Sequence, residues 1–219
     1  MAFGKAAGGL ILSVLWAANL ARGEQFPVRH EHLRKGCDGT MTVDESGVRF
    51  TGANKHAWTW KLQDIQEFTL SPGSIHILTY KDSKLRLGAD REYRFTGKVP
   101  AERLYALLRD RMDQRFVAAL GQASSLPGLA LPAKHLGRIV GSEGILSFGA
   151  ETVAYSTPAR DDSRTWRYSD IDSISSSGPF QLTITTLEKD FHFQLKQPIA
   201  EARYNELWLQ IEKKNGRIQ

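Results

Sequence analysis

The sequence contains few of the features that usually carry catalytic chemistry. Cys37 is the single cysteine, so no disulfide can form within the chain. There is no Gly-x-Ser-x-Gly elbow, no His-Glu-x-x-His run, no Walker loop and no dinucleotide-binding glycine fingerprint. Catalytic groups scattered along the chain stay an alternative. We therefore expect a protein that is not an enzyme and that holds no cofactor.

The N-terminal segment, residues 1–23, differs from the rest of the chain. Lys5 precedes an apolar run, and Ala21-Arg22-Gly23 places small residues around a cleavage point. This pattern predicts a secretory signal peptide cut after Gly23, and hence a periplasmic or secreted protein. The alternative is an uncleaved anchor, although the run is short of the roughly 20 apolar residues that span a bilayer.

Charge gives no indication of a nucleic-acid partner. The formal net charge is +5, and removing Lys5 and Arg22 with the signal peptide would lower it to +3. A nucleic-acid-binding domain is usually strongly basic on one face, and an exported protein rarely meets nucleic acid. We expect no nucleic-acid binding.

The rest of the chain contains an internal repeat, in which one sequence unit occurs twice. Trp60 followed by Asp64-Ile65 recurs, at the same spacing, as Trp166 followed by Asp170-Ile171. Other matches occur in the same order: alternating strand-like runs at 39–43 and 144–148, and closing amphipathic helices at 100–108 and 198–207. Each unit is predicted to be a meander of about six or seven antiparallel strands followed by one helix.

These motifs resemble those of bacterial pleckstrin-homology-like (PH-like) and GRAM-like domains. The resemblance covers most of residues 34–120 and 134–215. It implies a mainly β fold with some α structure: two tandem PH-like barrels, each a bent antiparallel sheet capped by a C-terminal helix. The predicted organisation is a signal peptide at 1–23, domain 1 at 24–120, a linker at 121–133 and domain 2 at 134–219.

The first hairpin loop of each unit argues against phosphoinositide binding. PH domains that hold these lipids typically line that loop with Lys and Arg. Here the loops read Asp44-Glu45-Ser46-Gly47 and Gly149-Ala150-Glu151. Both are acidic, so the cations that a phosphate site requires are missing from them.

The two units differ most between their fifth and last strands, where the first carries a basic insertion. A solvated hairpin is the simplest interpretation, and a patch for an anionic surface is the alternative. Trp58 has no aromatic counterpart in the second unit, where Arg164 stands, and is either packed or exposed for binding. The candidate binding residues are Lys81, Lys84, Arg86, Arg91, Arg94, Lys98 and Trp58.

A possible metal cluster precedes the first unit. His30 and His32 project to one side of an extended segment, and Cys37 follows. A site needs one or two further ligands, and the sequence offers no comparable cluster before the second unit, where His135 stands alone. We therefore expect a polar lead-in strand and no metal. Cys37 is expected to be a small core residue, or alternatively to pair with another chain.

The sequence thus favours a non-enzymatic, exported binding protein. A protein or peptide partner in the cell envelope is the first expectation, through β-strand addition or a helix in a groove. Peripheral binding to anionic membrane lipids through Lys81–Lys98 is the alternative, and a small-ligand carrier is a third.

Overall fold

A computed structural model describes residues 23–32, 36–53, 56–83, 86–121, 128–159 and 161–219. Most of the predicted signal peptide, residues 1–22, lies outside them. Within the described ranges no helix has the length and hydrophobicity needed to cross a membrane. The two halves of the structure are residues 23–121 and 128–219, called the first and the second half below.

The first half contains eight strands and one helix among its described residues. The elements are β1 (Glu24–His30), β2 (Cys37–Asp44), β3 (Gly47–Gly52), β4 (Ala57–Lys61), β5 (Ile65–Leu70), β6 (Ser74–Asp82), β7 (Asp90–Thr96), α1 (Ala101–Leu108) and β8 (Phe116–Ala118). A 3-10 turn, Leu62–Asp64, separates β4 from β5.

The second half repeats the same order without an equivalent of β8. Its elements are β9 (Leu129–His135), β10 (Ser142–Phe148), β11 (Thr152–Ser156), β12 (Arg164–Arg167), β13 (Ile171–Gly178), β14 (Gln181–Thr186), β15 (Asp190–Leu195) and α2 (Glu201–Lys214). A 3-10 turn, Tyr168–Asp170, stands where Leu62–Asp64 stands in the first half. β9 begins inside the predicted linker, of which residues 122–127 lie outside the described ranges.

The prediction of two separate PH-like barrels, each capped by a helix, is wrong. The fifteen strands form one continuous open sheet, in the order β13-β14-β15-β9-β10-β11-β12-β8-β5-β6-β7-β1-β2-β3-β4. The sheet is mixed, because β5 and β8 are parallel whereas the other pairings of described strands are antiparallel. The strands at its two ends are β13 and β4.

β8 is the physical reason for the single sheet. The first closing helix, α1, ends at Leu108. The apolar residues that follow are buried and form a strand instead. β8 pairs Phe116 with Phe68 of β5 on one side and Ala118 with Thr165 of β12 on the other.

Each half has its own apolar cluster. The first includes Phe50, Trp60 and Phe95, and the second includes Trp166, Phe191 and Phe193. The two tryptophans are 3% and 5% exposed, so both fill core positions. Each helix buries an apolar stripe at helical spacing against the core of its own half: Leu104 and Leu108 in α1, Leu207 and Ile211 in α2.

Candidate metal centre

Strand pairing in the first half brings three chemically reactive residues to one end of the sheet. His30 ends β1 and is the register partner of Cys37, which begins β2. His56 stands immediately before β4, and its carbonyl oxygen accepts a hydrogen bond of 2.7 Å from the backbone N–H of Gly52 at the end of β3. The β1–β4 meander therefore fixes the positions of all three, and His32 follows His30 by two residues.

The potential ligand atoms lie close together. His30 Nδ1 is 3.1 Å from His32 Nε2, which is 3.3 Å from Cys37 Sγ. Cys37 Sγ is in turn 3.5 Å from His56 Nδ1. The ligand atoms of His30, His32 and Cys37 all lie within 4.8 Å of one another.

These three distances are close to edges of a tetrahedral coordination shell, in which His30, His32 and Cys37 form the mutually close group and His56 lies beside Cys37. Zinc bonds of about 2.0–2.1 Å to nitrogen and about 2.3 Å to sulfur place neighbouring ligands about 3.3 Å (N to N) and about 3.6 Å (N to S) apart. The observed edges of 3.1, 3.3 and 3.5 Å agree with these values within about 0.3 Å.

Hydrogen bonds alone account for the cluster less well. A neutral imidazole nitrogen carries either one proton or one lone pair, so it serves one well-directed partner. His32 Nε2 nevertheless has two close neighbours, His30 Nδ1 and Cys37 Sγ. A positive ion shared among the three atoms would satisfy them together.

Aromatic rings surround the buried side of the cluster. His30 is 7% exposed and lies edge-on to Trp58, with ring centroids 4.8 Å apart, and 5.0 Å from Phe95. Trp58 also stacks on His56 at 5.6 Å. The apolar surroundings hold the His30 ring in one orientation and keep water away from it.

Burial also favours the form of His30 that binds metal. Burial is the largest cause, and electrostatic interaction with His32, His56 and Arg91 adds to it; together they lower the pKa of His30 from 6.5 to about 4. The imidazole is therefore neutral at pH 7, and a neutral ring is the ligand form. His32 is exposed and Cys37 and His56 are half-buried, so an ion can reach the cluster from solvent.

The basic residues predicted from the sequence are not gathered on one face. Side chains alternate along β7, so Arg94 points away from the face that carries Arg91. Arg91 lies over the ring of Tyr93, 5.0 Å from its centroid. Arg94 is 3.1 Å from Glu92, and Arg86 approaches the same carboxylate at 3.9 Å.

The other predicted residues divide between surface and core. Lys81 and Lys98 are exposed, and Lys84 lies outside the described residues. Trp58 packs partly buried against the first core and touches the rings of His30 and His56. His56 was not among the candidates predicted from the sequence. Strand alternation in His56-Ala57-Trp58-Thr59-Trp60 nevertheless puts it on the same face as both tryptophans.

A cleft of about 270 Å³ lies between the halves. Its cations are paired with acids, as Lys214 is with Glu151 at 3.0 Å and Arg167 with Asp170 at 2.7 Å. The lining residues are Arg109, Asp110, Glu151, Thr152, Arg167, Tyr168, Ser169 and Lys214.

Comparison with known proteins assigns no family. No family model matches the chain, and no curated protein matches it. A C-terminal domain of an unknown protein from Leishmania infantum has a TM-score of 0.32 at 15% identity, covering 40% of this chain and 84% of that one. The Spt16D Pob3N heterodimer has a TM-score of 0.34 at 12% identity, covering 83% of this chain and 100% of that one. Similarities this low transfer neither a fold nor a function.

Proposed function

We propose that this protein binds a transition-metal ion of the Zn²⁺ class through His30, His32, Cys37 and His56. The observation that carries the proposal is the proximity of the ligand atoms: those of His30, His32 and Cys37 all lie within 4.8 Å of one another, and His56 Nδ1 lies 3.5 Å from Cys37 Sγ. The strand register places His30, Cys37 and the approach to β4, and His32 follows the end of β1 by two residues.

The donor set selects the kind of ion. Thiolate and imidazole suit Zn²⁺, copper and related metals, whereas Mg²⁺ and Ca²⁺ prefer oxygen ligands. His30, His32 and Cys37 supply three ligands, and His56 as the fourth would fill a tetrahedral shell and leave no open position for a substrate. The proposed site therefore holds an ion rather than activating water, in keeping with the predicted absence of catalysis.

Titration of the reduced protein with Zn²⁺ and Co²⁺ tests the proposal. We expect one ion per chain by calorimetry, and a thiolate-to-metal charge-transfer band with Co²⁺. Cys37→Ser removes the band, and His56→Gln weakens binding by more than the roughly 10–100-fold that loss of an outer-shell partner costs. Mg²⁺ does not compete.

His192→Gln is the matched control. His192 lies in the second half, is exposed, and contacts Thr183 Oγ1 at 3.0 Å. Its replacement leaves both the stoichiometry and the charge-transfer band unchanged. Absence of stoichiometric Zn²⁺ binding by the reduced wild-type protein would overturn the proposal.

The expectations of export and of a protein or peptide partner stay predictions. The same holds for the anionic-membrane alternative, for which the placement of Arg91 and Arg94 on opposite faces of β7 gives no support.

A further inference from the structure

The second half has polar residues at the positions that correspond to three of the four proposed metal ligands, His30, Cys37 and His56. His135 ends β9 and is the register partner of Ser142, which begins β10, as His30 is of Cys37. Asp162 precedes Arg164 by two residues, as His56 precedes Trp58. Arg164 pairs with Tyr155 of β11, and Trp58 pairs in the same way with Phe50 of β3.

Direct hydrogen bonds join these three positions in the second half. His135 Nδ1 lies 3.0 Å from both carboxylate oxygens of Asp162, and Ser142 Oγ donates to the same carboxylate. Tyr155 extends the network by donating from its hydroxyl to Ser142 O at 2.8 Å. His135 is 4% exposed and lies against Tyr155, Phe191 and Phe193.

Among the described residues of the first half, the corresponding place is held by His56 and by no carboxylate. The neighbouring acids are engaged elsewhere, with Asp38 paired to Arg29 at 3.1 Å and Glu31 accepting from Thr96 at 3.3 Å. A thiol is a weak hydrogen-bonding group. The side chains at the end of β1, the start of β2 and the approach to β4 are therefore joined only weakly to one another unless an ion binds them.

We propose that the ion in the first half and the His135–Ser142–Asp162 network in the second half have the same structural role. Each connects the end of one strand (β1 or β9), the start of the next (β2 or β10) and the approach to β4 or β12. This inference rests on the metal binding proposed above and adds its role: the ion stabilises the first half, whereas the second half is stable without it.

Stabilisation of the first half by a bound ion can be measured. An ion that binds the folded state and not the unfolded state raises stability by an amount set by its concentration relative to Kd. At about 100 times Kd we expect Zn²⁺ to raise the unfolding midpoint of the first half by about 10–20 °C over that in chelator. If one equivalent of Zn²⁺ binds and this midpoint does not change, the proposed stabilising role of the ion is wrong, whereas the proposal of metal binding stands.

Exchanging residues between the halves gives a second test, which needs no metal. The double variant Cys37→Ser/His56→Asp places the second half's residues in the first, and Cys37→Ser/His56→Ala is its matched control. We expect the aspartate variant to bind no Zn²⁺ and to unfold in chelator at a higher temperature than the alanine variant. Equal midpoints for the two variants would overturn the equivalence of the positions.

The reciprocal exchange covers the case in which the first-half variants do not fold. Ser142→Cys/Asp162→His places a thiol and a second imidazole beside His135. We expect the number of bound Co²⁺ ions to rise from one to two per chain. The added ion binds more weakly, because Gly137 stands where the first half has His32. No gain in a folded variant would count against the equivalence.

Discussion

Trp58 contacts two of the proposed ligands without supplying a ligand atom. Its ring is 4.8 Å from that of His30 and 5.6 Å from that of His56. A paramagnetic ion held by these histidines therefore lies beside the indole. We expect stoichiometric Cu²⁺ to quench tryptophan fluorescence, and Trp58→Phe to remove most of the quenching while one ion still binds.

Trp166→Phe is the control for this experiment. Trp166 fills the core of the second half, where it contacts Phe191 at 4.8 Å. Its replacement lowers total tryptophan emission, but Cu²⁺ still quenches the emission of the first half to the same extent. Full quenching retained in Trp58→Phe would contradict the proposed position of the ion.

Because Tyr168 is buried, we expect the second half to lose stability at alkaline pH. The side chain is 1% exposed and its hydroxyl donates to Gly149 O at 2.7 Å. Burial, with a smaller contribution from the negative charge of Glu151, raises the pKa of Tyr168 from 10.0 to about 12. The folded state thus favours the neutral phenol, which adds stability below pH 10 that is lost as the pH rises towards 12.

Urea unfolding at pH 9 and pH 11 measures this effect. A shift of about two pKa units corresponds to about 3 kcal/mol, part of which is lost by pH 11. Tyr168→Phe costs about 1 kcal/mol at pH 9, because a hydrogen bond is lost, but shows a smaller loss between the two pH values. Tyr80→Phe, at a side chain that is 56% exposed, serves as control. A loss in Tyr168→Phe equal to that of the wild-type protein would contradict the assignment.

At the scale of elements, the local alternation of apolar and polar residues predicted strands correctly. Elements without such alternation, such as β8, depend on pairing with strands that are distant in sequence. Alternation over 39–43 and 144–148 predicted strands that lie within β2 and β10, because period-2 burial is a property of the segment itself. β8 gives no such signal. It is three residues long, and what makes it a strand is hydrogen bonding to β5 and β12, both remote in sequence.

One residue of the proposed metal site, His56, could not be identified from the sequence for the same reason. His30, His32 and Cys37 are neighbours in sequence, and strand alternation accounts for the first two. The fourth ligand, His56, joins them only through the registers of β1 with β2, β2 with β3 and β3 with β4. A register is set by the whole hairpin, so spacing along the sequence did not reveal the complete donor set.

At the scale of the whole molecule, the two halves share one sheet through a small and largely polar joint. β8 meets β12 in one register pair, Ala118 with Thr165. Thr165 Oγ1 donates to Leu120 O at 2.7 Å, and Arg167 donates to Met112 O at 3.0 Å. The cleft of about 270 Å³ lies beside this joint, whereas the two apolar clusters are separate.

The small joint and separate cores predict two unfolding transitions. Burial of apolar surface is a dominant source of cooperativity, and the two apolar clusters are separate. Scanning calorimetry is expected to show two peaks, with Zn²⁺ raising the temperature of one and leaving the other in place. Fluorescence assigns the peaks, because Trp58 and Trp60 lie in the first half and Trp166 and Trp208 in the second. A single transition that Zn²⁺ moves as a whole would mean that β8 couples the halves strongly enough for the ion to stabilise the entire sheet.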